Sequence, residues 1–523
     1  MSFAFPRFRR EFSVNLYKNL RFPLGEMSFF KDWTNTDRGD PYPLVFSAGG
    51  LRESIASGVY RVSAPDASGE LRRFAFSFFP YATYSMEVSS LQGEAGFVFR
   101  RRGGVESFAV YAAVSDKEKA LYFGRDTESA EKIPLADEGY FICGGKCELV
   151  VTARACAFDI YLEGDNGLRL IRSVDAPEMA ELLKEEAFRE AEADLYIRLP
   201  AGGHADIKKT EKFMDCGISQ ADMRPIRYED GSPMITDGRI YFTMSSRNEV
   251  GGYQSVISWV PGSTDFRLDG AIFYDTGDGI WVADVAASVI YDRAARKWRL
   301  WYCSFSHGHI LARGETDADL RHGVNVVDTR LMETEKTSEV SAGASDIALG
   351  HVGDTLERAE LSDDRLFYAK YGDEDPDFVY DRRRGKWLLT VCRPVSDNGK
   401  NRYRYFLFES DHPFQGYVWK DNTRAGENTG GSIVNTGNGY VFICGSDFGA
   451  RSRYYKFELD DLSDPETLTF DYDDGGFRGW GTVIALPGSG KKRFVMMTFD
   501  RHCGSAYNWS YGNIYVFSSG AII

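Results

Sequence analysis

Long basic blocks are missing from this 523-residue chain: 62 Lys and Arg stand against 77 Asp and Glu, for a formal charge of −15. Without clustered positive charge little draws the chain to a phosphate backbone, so nucleic acid is not expected as a partner. No apolar run approaches the roughly 18 residues that a membrane-crossing helix needs. The first ten residues, Met1 to Arg10, also lack the charged-then-apolar order of a signal peptide. No membrane partner is expected and the chain as given reads as cytoplasmic, although an exported parent with its signal removed would read the same. His is scarce, at seven residues, and neither a phosphate-cradling Gly loop nor a nucleophile elbow is present.

Eight Cys invite a disulfide or metal reading, and their positions speak against both. Cys303, Cys392 and Cys444 sit at one point of a repeated strand, where Met244 and Met497 stand in two further copies. Exchange of Cys with Met points to a compact apolar packing position, and a reducing compartment fits. Cys143-Gly-Gly-Lys-Cys147 has no second pair at zinc-like spacing, so no metal site is expected there.

Aromatic residues, at 14% of the chain, and 53 Gly favour strands and tight turns over helical bundles. From about residue 70 to 170 the pattern alternates at period two, as in Tyr84 to Val88, Gly96 to Arg100 and Cys147 to Thr152, which implies a sandwich of half-buried strands. Asp175-Ala-Pro-Glu178 reads as a helix start, with Asp as cap and Pro in the first turn, and the helix is expected to run to about Glu192. Ala201 to Lys212 reads as a linker, which sets a boundary near residue 205.

Beyond that boundary one grammar recurs five times, and repetition at this scale decides architecture before any single motif. Each unit opens with a polar or acidic turn and an apolar strand, continues in an aromatic-rich strand after a turn, and often ends in a third. The first runs Asp222 to Ile226, Asp237 to Ser245 and Val256 to Trp259; the second runs Trp281 to Val285, Val289 to Asp292, Lys297 to Ser304 and Ile310 to Arg313. Copies at Glu374 to Asp411, Gly430 to Leu459 and Gly479 to Phe517 complete the set. The fold class expected is all-β: a five-bladed β-propeller over 206–523, preceded by a β-sandwich over 1–205 with a short helical linker at about 176–192. The last unit stops one strand short, and Phe213 to Cys216 is expected to supply that strand and close the ring.

In a propeller the innermost strands face the axis, so the starts of successive units converge. That gathers Asp222, Asp284 and the cluster of Glu374, Asp375 and Asp377 at one mouth. Crowded carboxylates repel, and burial can raise the pKa of one while its neighbour stays ionised. Glycoside hydrolysis needs that split, with a protonated acid for the leaving oxygen and an ionised partner for water or the anomeric carbon. Each Asp has a plainer alternative, which is to cap a turn by accepting backbone N–H bonds. Asp292 and Asp381, after Tyr291 and Tyr380, are read that way.

Ala221-Asp222 with Pro225, Trp281-Val-Ala-Asp284-Val and Glu374-Asp-Pro376, taken in order, resemble the first, second and third blade motifs of the five-bladed glycoside hydrolases. That group is best known from the family 43 arabinanases and xylosidases, and the similar family 32 fructosidases share the architecture. The resemblance covers about residues 213–523. It implies Asp222 as general base or nucleophile, Asp284 as the carboxylate that orients and tunes the acid, and Glu374 as general acid. The chain departs from that pattern where Met223 and Arg224 separate Asp222 from Pro225, and where Ala283 replaces the second-blade Pro. Asp375 also replaces a Gly beside the acid, which makes it the alternative holder of that role.

Arg224, Arg247, Arg393 and Arg501 recur near the expected mouth. A guanidinium grips a carboxylate in bidentate fashion, so they either bind an acidic sugar or neutralise the crowded carboxylates. Under the first reading the chain is similar to propeller families acting on acidic plant-wall sugars, such as family 143. Asp377 joins these arginines as a substrate-binding candidate. Trp480, Tyr507, Trp509 and Tyr511 are candidates for stacking on sugar or for the core, and His307-Gly-His309 reads as a loop pair. His502 resembles the place where some family 43 enzymes hold a channel ion, so a structural calcium ion is left open and no other cofactor is expected. The function expected is hydrolysis of a terminal glycosidic bond in an oligo- or polysaccharide, the sugar a furanoside or an acidic sugar. A non-catalytic sugar-binding propeller and a polysaccharide lyase are the alternatives. The oligomeric state is not legible.

Overall fold

The computed structural model describes residues 3–28, 43–134 apart from 106, 147–331 apart from 165–166, 249–251 and 308–309, 373–487 apart from 398–399, 425–427, 446–453 and 471–476, 493–500 and 513–519. The structure is all-β. Among the described residues helix is confined to the short turns Pro177–Leu183, Glu185–Arg189 and Phe305–His307, and no helix there is long and apolar enough to cross a membrane.

The alternating residues of the amino-terminal part form strands, and several of them, such as Cys147–Arg154 and Ala191–Leu199, are buried on both faces. The long strand Thr83–Arg101 serves two sheets. Its first half pairs with Cys147–Arg154 and His204–Asp215, and its second half, from Gly93 on, pairs with Ser107–Val114 and Ala191–Leu199. The two sheets face one another across an aromatic core, in which Phe108 of one stacks on Phe158 of the other with ring centroids 4.2 Å apart.

Two expectations for this part are corrected. Asp175 ends the strand Gly167–Asp175 and caps nothing; the helical stretch is a 3-10 turn, Pro177–Leu183, and a five-residue α-helix, Glu185–Arg189, separated by Lys184 in an extended conformation. The Ala201 to Lys212 stretch is largely strand, His204–Asp215, paired with Arg21–Ser28, Val59–Ser63 and Thr83–Arg101. Its buried residues Ala205, Ile207, Phe213 and Met214 outweigh the loop-like glycines Gly202 and Gly203 before it.

Among the described residues the rest of the chain forms five groups of four main strands. Their inner strands are Ser219–Pro225, Val285–Asp292, Glu374–Asp381, Thr429–Asn435 and Phe477–Leu486. Each packs against the next, and the fifth packs against the first, so the inner strands close a ring. The first two groups are continuous, because Phe266–Asp275 runs parallel to Gly323–Leu331. Ring closure differs from the expectation. Phe213 to Asp215 pair with Arg21 to Pro23 in the amino-terminal sheets, and the fourth strand of the last group is Arg9–Val14, antiparallel to Ile514–Ser519. The two ends of the chain thus share one sheet, and Ser519 Oγ donates to the Pro6 carbonyl at 2.6 Å.

The repeated Cys and Met position is buried in every copy: Met244, Cys303, Cys392, Cys444 and Met497 are all at most 1% exposed. Burial and the charges of Glu374, Asp284, Asp375 and Asp373 push the Cys303 thiol well up, which keeps it inert. Cys147 is a free thiol, and Cys143 lies outside the described residues.

Candidate active site

The inner strands share a local distortion. In the first, Ala221 pairs with Ser245 and Arg224 with Thr243, so one residue more is spent on the inner strand than on its partner. The same count holds between Val285 and Ser288, between Glu374 and Asp377, and between Thr429 and Ser432. The residue that opens each bulge has a left-handed backbone: Asp222 at φ 52°, Ala286 at 62°, Asp375 at 47° and Gly430 at 59°. Only Gly adopts that conformation without strain, and Asp tolerates it better than most residues. The shared position of the bulge makes Asp222 and Asp375 structural equivalents.

Asp222 accepts a hydrogen bond from Ser245 Oγ at 2.6 Å, and Arg247 Nη2 stands 3.8 Å from the same oxygen. Asp375 is buried and accepts from the Gly430 amide at 3.2 Å. Burial, with the charges of Asp222 and Glu374, pushes its pKa up to about 7 against the pull of Arg224 and that amide. Asp222, Glu374, Asp375 and Arg224 therefore share one electrostatic environment. Tyr405 roofs it: its ring lies where a side chain on Gly431 would be, its hydroxyl accepts from the Gly431 amide, and burial and Asp375 push the phenol well up.

Asp284 stands just before its inner strand begins, at the place that Asp373 occupies in the third group. Both are held by the residue after the buried Cys of the neighbouring strand. Ser304 Oγ donates to Asp284 at 2.9 Å, and Arg393 grips Asp373 through Nε at 2.9 Å and Nη2 at 3.1 Å. Ser306 adds its amide at 3.1 Å and its hydroxyl at 2.9 Å to Asp284. Burial nevertheless raises the Asp284 carboxyl above its ordinary range, with the serines and His307 opposing it. A cleft of about 430 Å³ opens beside this loop, lined by Tyr81, Arg154, Leu183, Ile280, Ala283 and His307, so the amino-terminal sheets form part of its wall.

Two expected binding residues are spent on the fold. Asp377 is 1% exposed and accepts from Arg227 Nη2, Ser288 Oγ at 2.7 Å and the Ile433 amide at 2.7 Å. It clasps the second, third and fourth inner strands and has no face left for a sugar. Arg393 neutralises Asp373, which is the second of the two roles open to it. Asp292 and Asp381 cap turns as expected, accepting from the amides of Ala294 and Ala295 and from that of Arg383. Trp480's side chain, Arg501, His502, Tyr507, Trp509 and Tyr511 lie outside the described residues. Among the described residues no group of three or more His, Cys, Asp or Glu is disposed to hold a metal ion.

Asp373 was not singled out in the sequence, and His307 was read there only as one of a loop pair with His309. Asp373 carries a signal, its offset from the bulge, that only the pairing register reveals. His307 reaches Asp284 through Ser304, with Nδ1 2.9 Å from the shared hydroxyl.

No family model and no curated protein matches the chain. Among solved structures, a thermostable family-43 glycoside hydrolase is similar at 12% identity over 57% of this chain and 88% of its own, with a TM-score of 0.35. A family 117 glycoside hydrolase from the marine bacterium Zobellia galactanivorans is similar at 12% identity over 58% and 84%, with a TM-score of 0.37. A levansucrase mutant from B. megaterium is similar at 11% identity over 58% and 85%, with a TM-score of 0.38. These similarities are to two glycoside hydrolases and a levansucrase.

Proposed function

We propose that this chain is a glycosidase in which a five-bladed β-propeller, completed by Arg9–Val14 and preceded by a β-sandwich, cleaves a terminal glycosidic bond of an oligo- or polysaccharide. One observation carries the reading. Asp222 and Asp375 occupy the same bulge in two groups of the ring, bear on each other electrostatically, and have unlike surroundings.

The chemistry follows from that difference. The general acid falls to the Glu374 and Asp375 pair, and Asp375, raised to about 7, has the property an acid needs near neutral pH. It gives its proton to the leaving oxygen. Asp222, hydrogen-bonded by Ser245 with Arg247 nearby, either takes a proton from water or attacks the anomeric carbon. Asp284, fixed by Ser304 and Ser306, takes the part of the carboxylate that orients and tunes the acid.

The test is activity of the parent, Asp222→Asn, Asp375→Asn and Glu374→Gln on a panel of furanosides and uronic-acid oligosaccharides, read as reducing ends released. Asp222→Asn and Asp375→Asn are each expected to lose about 10²- to 10⁴-fold. Parental activity in both would sink the assignment, and an ultraviolet-absorbing unsaturated product would mark a lyase instead.

A further inference from the structure

The arginines around the mouth differ in what they touch. Arg393 is bound to Asp373 through two nitrogens, and Arg227 is bound to Asp377 and the Ile433 carbonyl. Arg247 stands 3.8 Å from Asp222. Arg224 is unlike them. It is 2% exposed and ranks with the largest fully buried side chains, yet its Nε meets no hydrogen-bond partner, and no hydrogen bond or ion pair reaches its guanidinium among the described residues. Burial opposes its charge, and Asp375, Tyr405, Asp377 and Asp222 sustain it from a distance. A buried guanidinium with an unmet Nε destabilises a fold unless something else supplies the acceptor.

We infer that Arg224 binds the carboxylate of an acidic sugar, a hexuronate, at the axial end of the site. The inference rests on the glycosidase reading for the sugar and deepens it by naming the substrate class. Arg224 follows Asp222 by two residues on the same strand and holds the place after the bulge that Ser288, Asp377 and Ser432 hold in their groups. A carboxylate held there lies close to Asp222 and Asp375, whose charges both bear on Arg224. A neutral sugar leaves the guanidinium unmet, and a buried polar group left unpaired is the strongest basis a site has for rejecting a near-isostere. Asp375, being largely protonated below neutral pH, does not repel the incoming anion there.

The test is equilibrium binding to the full chain by titration calorimetry, with galacturonate and glucuronate as probes and galactose, glucose and acetate as controls. At least one uronate is expected to bind 10-fold or more tightly than its neutral counterpart and than acetate, and Arg224→Met is expected to weaken it by about 10- to 100-fold. The variant's melting temperature is expected to be unchanged or raised, since a charge without a partner has been removed. Equal affinity for acidic and neutral sugars, acetate binding as tightly, no uronate binding, retained binding in Arg224→Met, or a lowered melting temperature in that variant would each overturn the inference. Arg224-dependent uronate binding by a chain that hydrolyses nothing keeps this inference and loses the glycosidase. Hydrolysis of neutral furanosides without uronate binding does the reverse.

Discussion

Two clusters of buried charge, one where the amino-terminal sheets meet the ring and one at the ring's mouth, are assembled in opposite ways. In the first, Asp215 accepts from Lys18 Nζ at 2.6 Å, Thr83 Oγ1 at 2.5 Å and the Gly217 amide at 2.8 Å, with Arg154 Nη2 at 3.5 Å. Burial works against its charge, but Lys18 and Arg154 outweigh that and hold the carboxyl at about 2. In the second, Asp375 has one amide at 3.2 Å and two carboxylates bearing on it, and rises to about 7. Both clusters are buried, so burial does not distinguish them. Satisfaction does: charges that hold a fold together have their partners in the chain, and charges kept under-partnered await a ligand or a proton.

Substitution breaks or sharpens that contrast most strongly. Asp215→Ala leaves Lys18 and Arg154 buried without their counter-ion and is expected to cost about 3–5 kcal/mol, seen as a large fall in melting temperature. Asp375→Asn is expected to leave the melting temperature near the parent's while activity falls. Equal destabilisation by the two would end the contrast.

The pH dependence of stability separates them more finely, because the two shifts have opposite signs. The Asp215 carboxyl lies below its unfolded value of about 3.9, so its contribution is present above that pH and is lost as pH falls through about 2. The effect is on the order of 2 kcal/mol. Asp375 lies above its unfolded value, so its contribution is present below about pH 3.9 and is lost as pH rises through about 7. Melting curves from pH 2 to 9 are expected to lose the acid limb in Asp215→Asn and the gentler decline toward neutrality in Asp375→Asn. Unchanged limbs in the variants would contradict both assignments.

Much of this was legible in the chain. The exchange of Cys and Met at Met244, Cys303, Cys392, Cys444 and Met497 marks equivalent strands because a buried site of fixed size admits few side chains. Asp222 stood out from its place at the start of a unit, and Asp292 and Asp381 from their turns. The closing strand Arg9–Val14 was hidden because its partner, Ile514–Ser519, lies at the other end of the chain, and no local pattern reports such a pairing. Motif spacing set Glu374 against Asp222, whereas the pairing register sets Asp375 there; a one-residue bulge moves every side chain to the other face. The arginines looked alike in sequence because what separates Arg224 from Arg393 is a carboxylate partner, Asp373, twenty residues back along the chain.

The most direct test is titration of the Asp375 carboxyl by carbon-detected NMR, in the parent and in Asp222→Asn. Convergence of the two side chains on one opening predicts a midpoint near 7 in the parent and a lower one once the Asp222 charge is gone. An ordinary carboxylate midpoint near 4, unmoved by Asp222→Asn, would mean that the two do not share a site.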